Sequence, residues 1–251
     1  MREKEEAAIL AKNEQLRANL LRTISHDLRT PLTSISGNAN NLLYNESCLD
    51  AQMRRQIYGD IYDDSMWLID LVENLLSVTR IEEGRMQIRQ SAELVDEVIK
   101  EALKHTGQSR TGRTIKVEEE DELILAKMDA RLIVQVLINL IGNAVKYTPQ
   151  GTDITVRVKK EKAENAERSQ VIISVCDLGN GIPDDRKERV FDMFYTGSDQ
   201  VADSRRSLGL GLGLCRSIIN AHGGKIWISD NIPHGAVVTF TLPAEEVALN
   251  E

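Results

Sequence analysis

Apolar residues recur at helical spacing through the first third of the chain and at shorter, alternating spacing through much of the rest, with the change near Gly84. Leu21, Leu28, Leu32, Ile35, Ala39 and Leu42 follow one another at steps of seven, four and three among strong helix formers. They predict one amphipathic helix from Met1 to about Tyr44. Pro31 falls inside this pattern, where it removes a backbone donor and kinks the helix rather than ending it. Met53, Ile57, Ile61, Leu68, Val72, Leu75 and Thr79 keep the same period, and polar Asn45–Asp50 between the two runs reads as a turn. The hairpin so formed cannot hide its apolar stripe alone. Two copies pairing into an antiparallel four-helix bundle would cover it, so a homodimer is expected.

Beyond Gly84 a helical stretch near Leu94–Leu103 precedes β-rich runs at Ile115–Lys127, Ile154–Lys160, Val171–Asp177, Lys225–Ser229 and Val237–Leu242. Helical patterns lie between them at Ala130–Tyr147 and again after Gly209. Such mixing predicts an α/β sandwich, with helices over one face of a mostly antiparallel sheet. The expected fold class is therefore α + α/β: a helical hairpin over residues 1–85, then an α/β-sandwich domain over residues 90–246.

Composition narrows the partners. Aromatic residues make up 4% of the 251 and the net charge is −8, so there is neither a stacking platform for bases nor the cationic surface that a phosphate backbone needs. No nucleic acid is expected. Cys48, Cys176 and Cys215 are scattered without disulfide or zinc spacing, which suits a reducing cytoplasm. No apolar run approaches the roughly 20 residues of a membrane-spanning helix. The helical start suggests a fragment of a longer chain.

His26 stands in Ile-Ser-His-Asp-Leu-Arg-Thr-Pro, residues 24–31, and lies about 160° around the helix from Leu28, opposite the apolar stripe. A neutral imidazole attacks phosphorus through one ring nitrogen when a carboxylate holds the N–H of the other, and Asp27 is placed to do so. Thr30, one turn on, shares the face and could position a water against a phosphorylated His26. Further along, Asn139, Asn143 and Lys146 share one face of the Ala130–Tyr147 helix. An amide oxygen is a hard ligand suited to Mg²⁺, and a lysine supplies charge to phosphate oxygens. Asp-Leu-Gly-Asn-Gly-Ile, residues 177–182, follows a strand directly; Gly179 and Gly181 permit a tight turn, and Asp177 can accept from an adenine amino group. Gly209, Gly211 and Gly213 alternate just before a helix, where backbone N–H groups can face phosphates. The glycines match neither a dinucleotide fingerprint nor a P-loop.

The segment Ser-His-Asp-Leu-Arg-Thr-Pro-Leu-Thr resembles the H box of phosphoacceptor-type sensor histidine kinases, and the longer stretch from Ser25 to Leu43 is similar to the Kdp-type potassium-responsive sensors. The later motifs resemble, in order, the N, G1 and G2 boxes of the ATPase superfamily of histidine kinases, gyrase and the ninety-kilodalton heat-shock chaperones. Phe-Asp-Met-Phe-Tyr at 191–195 resembles the F box. The resemblance implies that His26 is the phosphorylated residue, that Asp27 assists and that Thr30 serves phosphatase activity. It implies ATP and Mg²⁺ as cofactors: Asn143 on the metal, Lys146 on phosphate, Tyr147 and Phe194 near the nucleotide, and Asp177 with Gly179 and Gly181 at adenine. Gly209, Gly211 and Gly213 fall to the phosphates. Asn139 stands where gyrase-like members place a Glu base, and an amide cannot abstract a proton from water, which favours transfer to histidine over hydrolysis.

Residues 196–207 are polar, glycine-containing and aperiodic, the pattern of a lid from which Arg205 or Arg206 could reach the phosphates. Thr196 departs from the Arg frequent in the family there, as do Leu178 and Asn180 from the frequent Asn and Pro of G1. His222, in a family-like His-Gly-Gly turn, reads as structural; His105 and His234 receive no role. Implied partners are a second copy of the chain and the receiver domain of a response regulator. The competing readings are a phosphatase with ATP binding as a conformational switch, and a signalling scaffold with a degenerate nucleotide site.

Overall fold

The computed structural model describes Ser25 and residues 28–45, 48–82, 88–106, 114–120, 123–162, 169–193, 195 and 209–245. The chain divides into two compact units, one on the N-terminal helices up to Ser77, the other beginning at Val78.

In the first unit, α1 covers residues 28–44 and α2 covers Ala51–Glu82. The helix continues through Pro31, which is buried, and the Thr33 hydroxyl donates to the Arg29 carbonyl at 2.8 Å. Asp50 starts α2: its carboxylate accepts from the Met53 N–H at 2.7 Å, satisfying one of the donors a helix N-terminus leaves open. Along α2 the more buried positions include Ile57, Ile61, Asp64, Leu68, Leu71 and Leu75, alternating steps of four and three, which is a heptad seam. A second stripe is exposed: Tyr58, Tyr62, Met66, Ile69, Val72 and Leu76 each show at least 39% of their surface. The sequence pattern combined members of both, since Val72 belongs to the exposed stripe and Leu68 and Leu75 to the seam.

The second unit runs β1 (Ser91–Leu94), α3 (Val95–His105), β2 (Ile115–Glu119), β3 (Leu125–Met128), α4 (Ala130–Tyr147), β4 (Ile154–Lys162), β5 (Ser169–Cys176), α5 (Asp184–Lys187), a 3-10 turn (Arg189–Phe191), α6 (Gly211–Ala221), β6 (Ile226–Asp230) and β7 (Ala236–Glu245). The strands form one sheet in the order β1-β3-β7-β5-β4-β2, with β6 also on β7. Every pairing is antiparallel except β2 with β4. Alternation puts Val156, Val158, Ile173, Val175, Phe240 and Leu242 in the core, where α4 packs between α3 and α6. Each such aliphatic side chain, fully buried, contributes about 1.5–3 kcal/mol.

Two expectations are corrected. The β-rich run Ile115–Lys127 is two strands, β2 and β3, placed on opposite sides of the sheet. Five consecutive acids, Glu118–Glu122, interrupt the run, and their mutual repulsion disfavours one continuous strand. β1 had no sequence signal because Ser-Ala-Glu-Leu lacks any β-branched or aromatic residue. It is extended because β3 offers an edge, pairing Ser91 with Met128 through Leu94 with Leu125.

His222 is 2% exposed and ties the end of α6 to the start of α4. Its Nδ1–H donates to the Ile218 carbonyl at 2.7 Å and its Nε2 accepts from the Asp129 N–H at 3.0 Å, which fixes a neutral tautomer. Asp129 caps α4, one carboxylate oxygen accepting from the Leu132 N–H and the other from the Arg89 N–H. Replacing His222 with Ala leaves a cavity and a buried donor without its acceptor, a cost of about 2–4 kcal/mol. A lower denaturation midpoint at unchanged slope checks this. Burial pushes the Cys176 and Cys215 thiols up, while Cys48 is exposed. Disulfide-exchange reagents at pH 8 should therefore titrate Cys48 rapidly and reach the other two only on unfolding, as counting released thiolate will show.

Candidate functional site

The centre of the second unit is the C-terminal half of α4. Asn139, Asn143 and Lys146 are half-buried along it, Tyr147 is 49% exposed, and the Lys146 Nζ lies 5.4 Å from the Tyr147 ring centroid. The helix leans its other face, Val136, Leu137, Leu140 and Ala144, into the core, so the polar stripe is held outward by apolar burial opposite it.

Two glycine turns close on this stripe from different parts of the chain. After β5 the backbone turns at Gly179, where a Cβ would stand 2.6 Å from the Tyr147 carbonyl oxygen; no larger residue fits. The same turn orients Asp177, whose Oδ1 accepts from the Gly179 N–H at 2.8 Å and from the Ala236 N–H at 3.1 Å. Among the described residues both bonds fall on one oxygen, leaving Oδ2 to accept from a ligand. From the other side, α6 begins at Gly211, with no side chain capping its first turn, and a Cβ at Gly211 would come within 3.3 Å of Asn139 Oδ1. Gly209 precedes it at φ +65°, a conformation glycine adopts without cost. Backbone N–H groups at the head of an eleven-residue helix thus stand beside Asn139, an arrangement suited to phosphate oxygens.

The segment before α6 is packed onto it. Gly213 has Met193 Sδ and the Phe191 carbonyl where its own Cβ would be, and Arg216 pairs with Asp192 at 3.1 Å while lying 5.8 Å from the Phe191 ring. Gly179 is thus set against Tyr147 and Gly211 against Asn139, on the helix that also carries Asn143 and Lys146, while Gly213 packs on Met193 and Phe191. Gly181, at φ +70°, belongs to the same turn as Gly179. In the first unit Thr30 is exposed on α1. His26, Asp27, Phe194, Arg206 and the 196–207 stretch lie outside the described residues.

One group of residues had escaped sequence reasoning. The loop between β6 and β7, Asn231–Gly235, grips the Asp177 turn: Asn231 Nδ2 donates to the Asp177 carbonyl at 2.7 Å, and His234 Nδ1 donates to the Gly179 carbonyl at 3.2 Å. His234 had been given no role. The legible signal was the pattern Asn-Ile-Pro-His-Gly between two β-runs, but a turn signal does not say what the turn touches.

Two family models match: "His Kinase A (phospho-acceptor) domain" over residues 16–84 and "Histidine kinase-, DNA gyrase B-, and HSP90-like ATPase" over residues 128–246. Among curated relatives, the sensor protein KdpD of Clostridium acetobutylicum is 41% identical over 97% of this chain and 26% of its own length. The adaptive-response sensory kinase SasA of Gloeothece citriformis is 30% identical over 96% of this chain and 61% of its own. The chain thus spans between a quarter and about three fifths of these relatives. Histidine kinase ThkA, solved in complex with response regulator protein TrrA, superposes with a TM-score of 0.62 at 26% identity, covering 94% of this chain and 64% of that one. Among the described residues no helix is long and apolar enough to cross a membrane. With the phosphoacceptor segment ahead of an asparagine-bearing helix and two glycine turns that converge on it, this chain belongs to the sensor histidine kinases.

Proposed function

We propose that this chain binds Mg-ATP between α4 and α6 and transfers its γ-phosphoryl group to His26. The observation that carries the reading is the convergence of the Asp177 turn and the head of α6 on the polar stripe of α4. Asp177 Oδ2 accepts the adenine amino group, and the Gly211 turn receives the phosphates. Asn143 would hold Mg²⁺ through its amide oxygen, where the ion would offset phosphate charge, and Lys146 adds a cation nearby. At His26 the lone pair of one imidazole nitrogen forms the N–P bond as the bond from phosphorus to the ADP oxygen breaks. Asp27 holds the N–H of the other nitrogen and stabilises the charge that develops on the ring.

Phosphohistidine then donates to an aspartate on a response regulator's receiver domain, and Thr30 positions water for the reverse loss of phosphate from that regulator. The exposed α2 stripe from Tyr58 to Leu76 supports a homodimer, because six large apolar side chains on one helix face are more than a monomer leaves in water. The similarity to KdpD supports a sensor of that type, acting on the cytoplasmic side of a membrane.

Incubation with γ-labelled ATP and Mg²⁺ should give an acid-labile, base-stable protein label that is absent from His26→Gln. Nucleotide bound tightly with no label would instead favour a conformational switch. Asn143→Ala should lower the labelling rate about 100-fold, the scale on which loss of one transition-state contact acts. Thr30→Ala should label normally yet slow release of phosphate from the phosphorylated regulator, which a chase with unlabelled ATP will resolve.

A further inference from the structure

We propose that Asn231 is a positioning residue for adenine recognition, acting through Asp177. The inference rests on the nucleotide reading above and concerns a loop that lies outside its three motifs. The strand β5 ends at Cys176, so Asp177 is the first residue whose backbone is no longer fixed by the sheet on both sides. What holds it is the β6–β7 loop. The Asp177 N–H donates to the Ala236 carbonyl at 2.9 Å, the Ala236 N–H returns to Asp177 Oδ1 at 3.1 Å, and Asn231 Nδ2 donates to the Asp177 carbonyl at 2.7 Å. All the polar groups of Asp177 except Oδ2 are thereby engaged by two short segments.

Asn231 is built for this one contact. Its Oδ1 accepts from the Ile232 N–H at 3.0 Å, which sets the amide plane and directs the NH₂ group to Asp177, and its own N–H closes the loop on the Gly235 carbonyl at 3.0 Å. Gly235 lets the loop come this near: at φ +114°, a Cβ there would be 2.0 Å from the Asp177 carbonyl. The two Asn231 oxygen and nitrogen contacts distinguish an amide from any other side chain of the same size. An aspartate would keep the Ile232 bond and set a carboxylate against a carbonyl oxygen, displacing the Asp177 backbone and with it Oδ2. His234 adds a weaker hold on Gly179 from an exposed position.

The consequence is specificity. Asp177 selects adenine because Oδ2 accepts from an amino group at C6 of the purine, where guanine carries a carbonyl oxygen that a carboxylate repels, so a displaced Oδ2 loses adenine contact while the phosphate end at α6 is untouched. The test compares the unmodified chain with Asn231→Asp and His234→Ala, reading dissociation constants for Mg-ATP, Mg-GTP and inorganic tripolyphosphate, together with the maximal labelling rate at saturating ATP. The expected result for Asn231→Asp is ATP affinity about tenfold weaker, with GTP and tripolyphosphate binding within about twofold of the unmodified chain and the saturated rate little changed. For His234→Ala the loss is about two- to threefold in ATP alone. Undiminished ATP-over-GTP selectivity in Asn231→Asp overturns the positioning role, as does an equal fall in ATP and tripolyphosphate affinity, which marks a merely structural residue. Failure of the unmodified chain to prefer ATP over GTP overturns the nucleotide reading itself.

Discussion

The double acceptance at Asp177 Oδ1 is the constraint on which the nucleotide end of the molecule depends. A carboxylate at the end of a strand has free rotation about two bonds, and would sample many orientations in water. Two backbone donors, one from its own turn at Gly179 and one from β7 at Ala236, remove that freedom. Since both donors are main-chain groups, the orientation is tied to the sheet register rather than to any mobile side chain. Preorganisation of this sort is where binding energy is conserved, because the ordering cost is met during folding.

The same logic extends outward from Asp177. The turn at Gly179 abuts the last carbonyl of α4, so Asp177 is held in a fixed relation to Asn143 and Lys146; the head of α6 abuts Asn139, so it is fixed to the same helix. α4 itself is anchored at its start by Asp129 and His222, at the end opposite Lys146 and Tyr147. A chain of close backbone contacts, few of them involving charge, thus connects a structural histidine to the polar stripe of α4.

Much of this was readable from the amino-acid order. Ala130–Tyr147 reads as a helix from its apolar period, and the glycines at 179, 181 and 209 read as turns because few other residues suit them, whereas Gly211 and Gly213, expected ahead of a helix, lie in its first turn. Other features were not readable. β1 exists only because a neighbouring edge accepts it, and the separation of β2 from β3 follows from charge repulsion that alternation alone does not register. The two faces of α2 differ in burial, which a single apolar period merges. The grip of Asn231 on Asp177 spans more than fifty residues of sequence, and nothing local to either one announces it.

β7 pairs with three strands, β3 and β6 along one side and β5 along the other, and it is formed by residues 236–245. A sheet whose central member comes last in synthesis cannot close until that member has left the ribosome, whereas the helices of the first unit make local contacts that form early. The phosphoacceptor segment is thus available well before a competent nucleotide site exists.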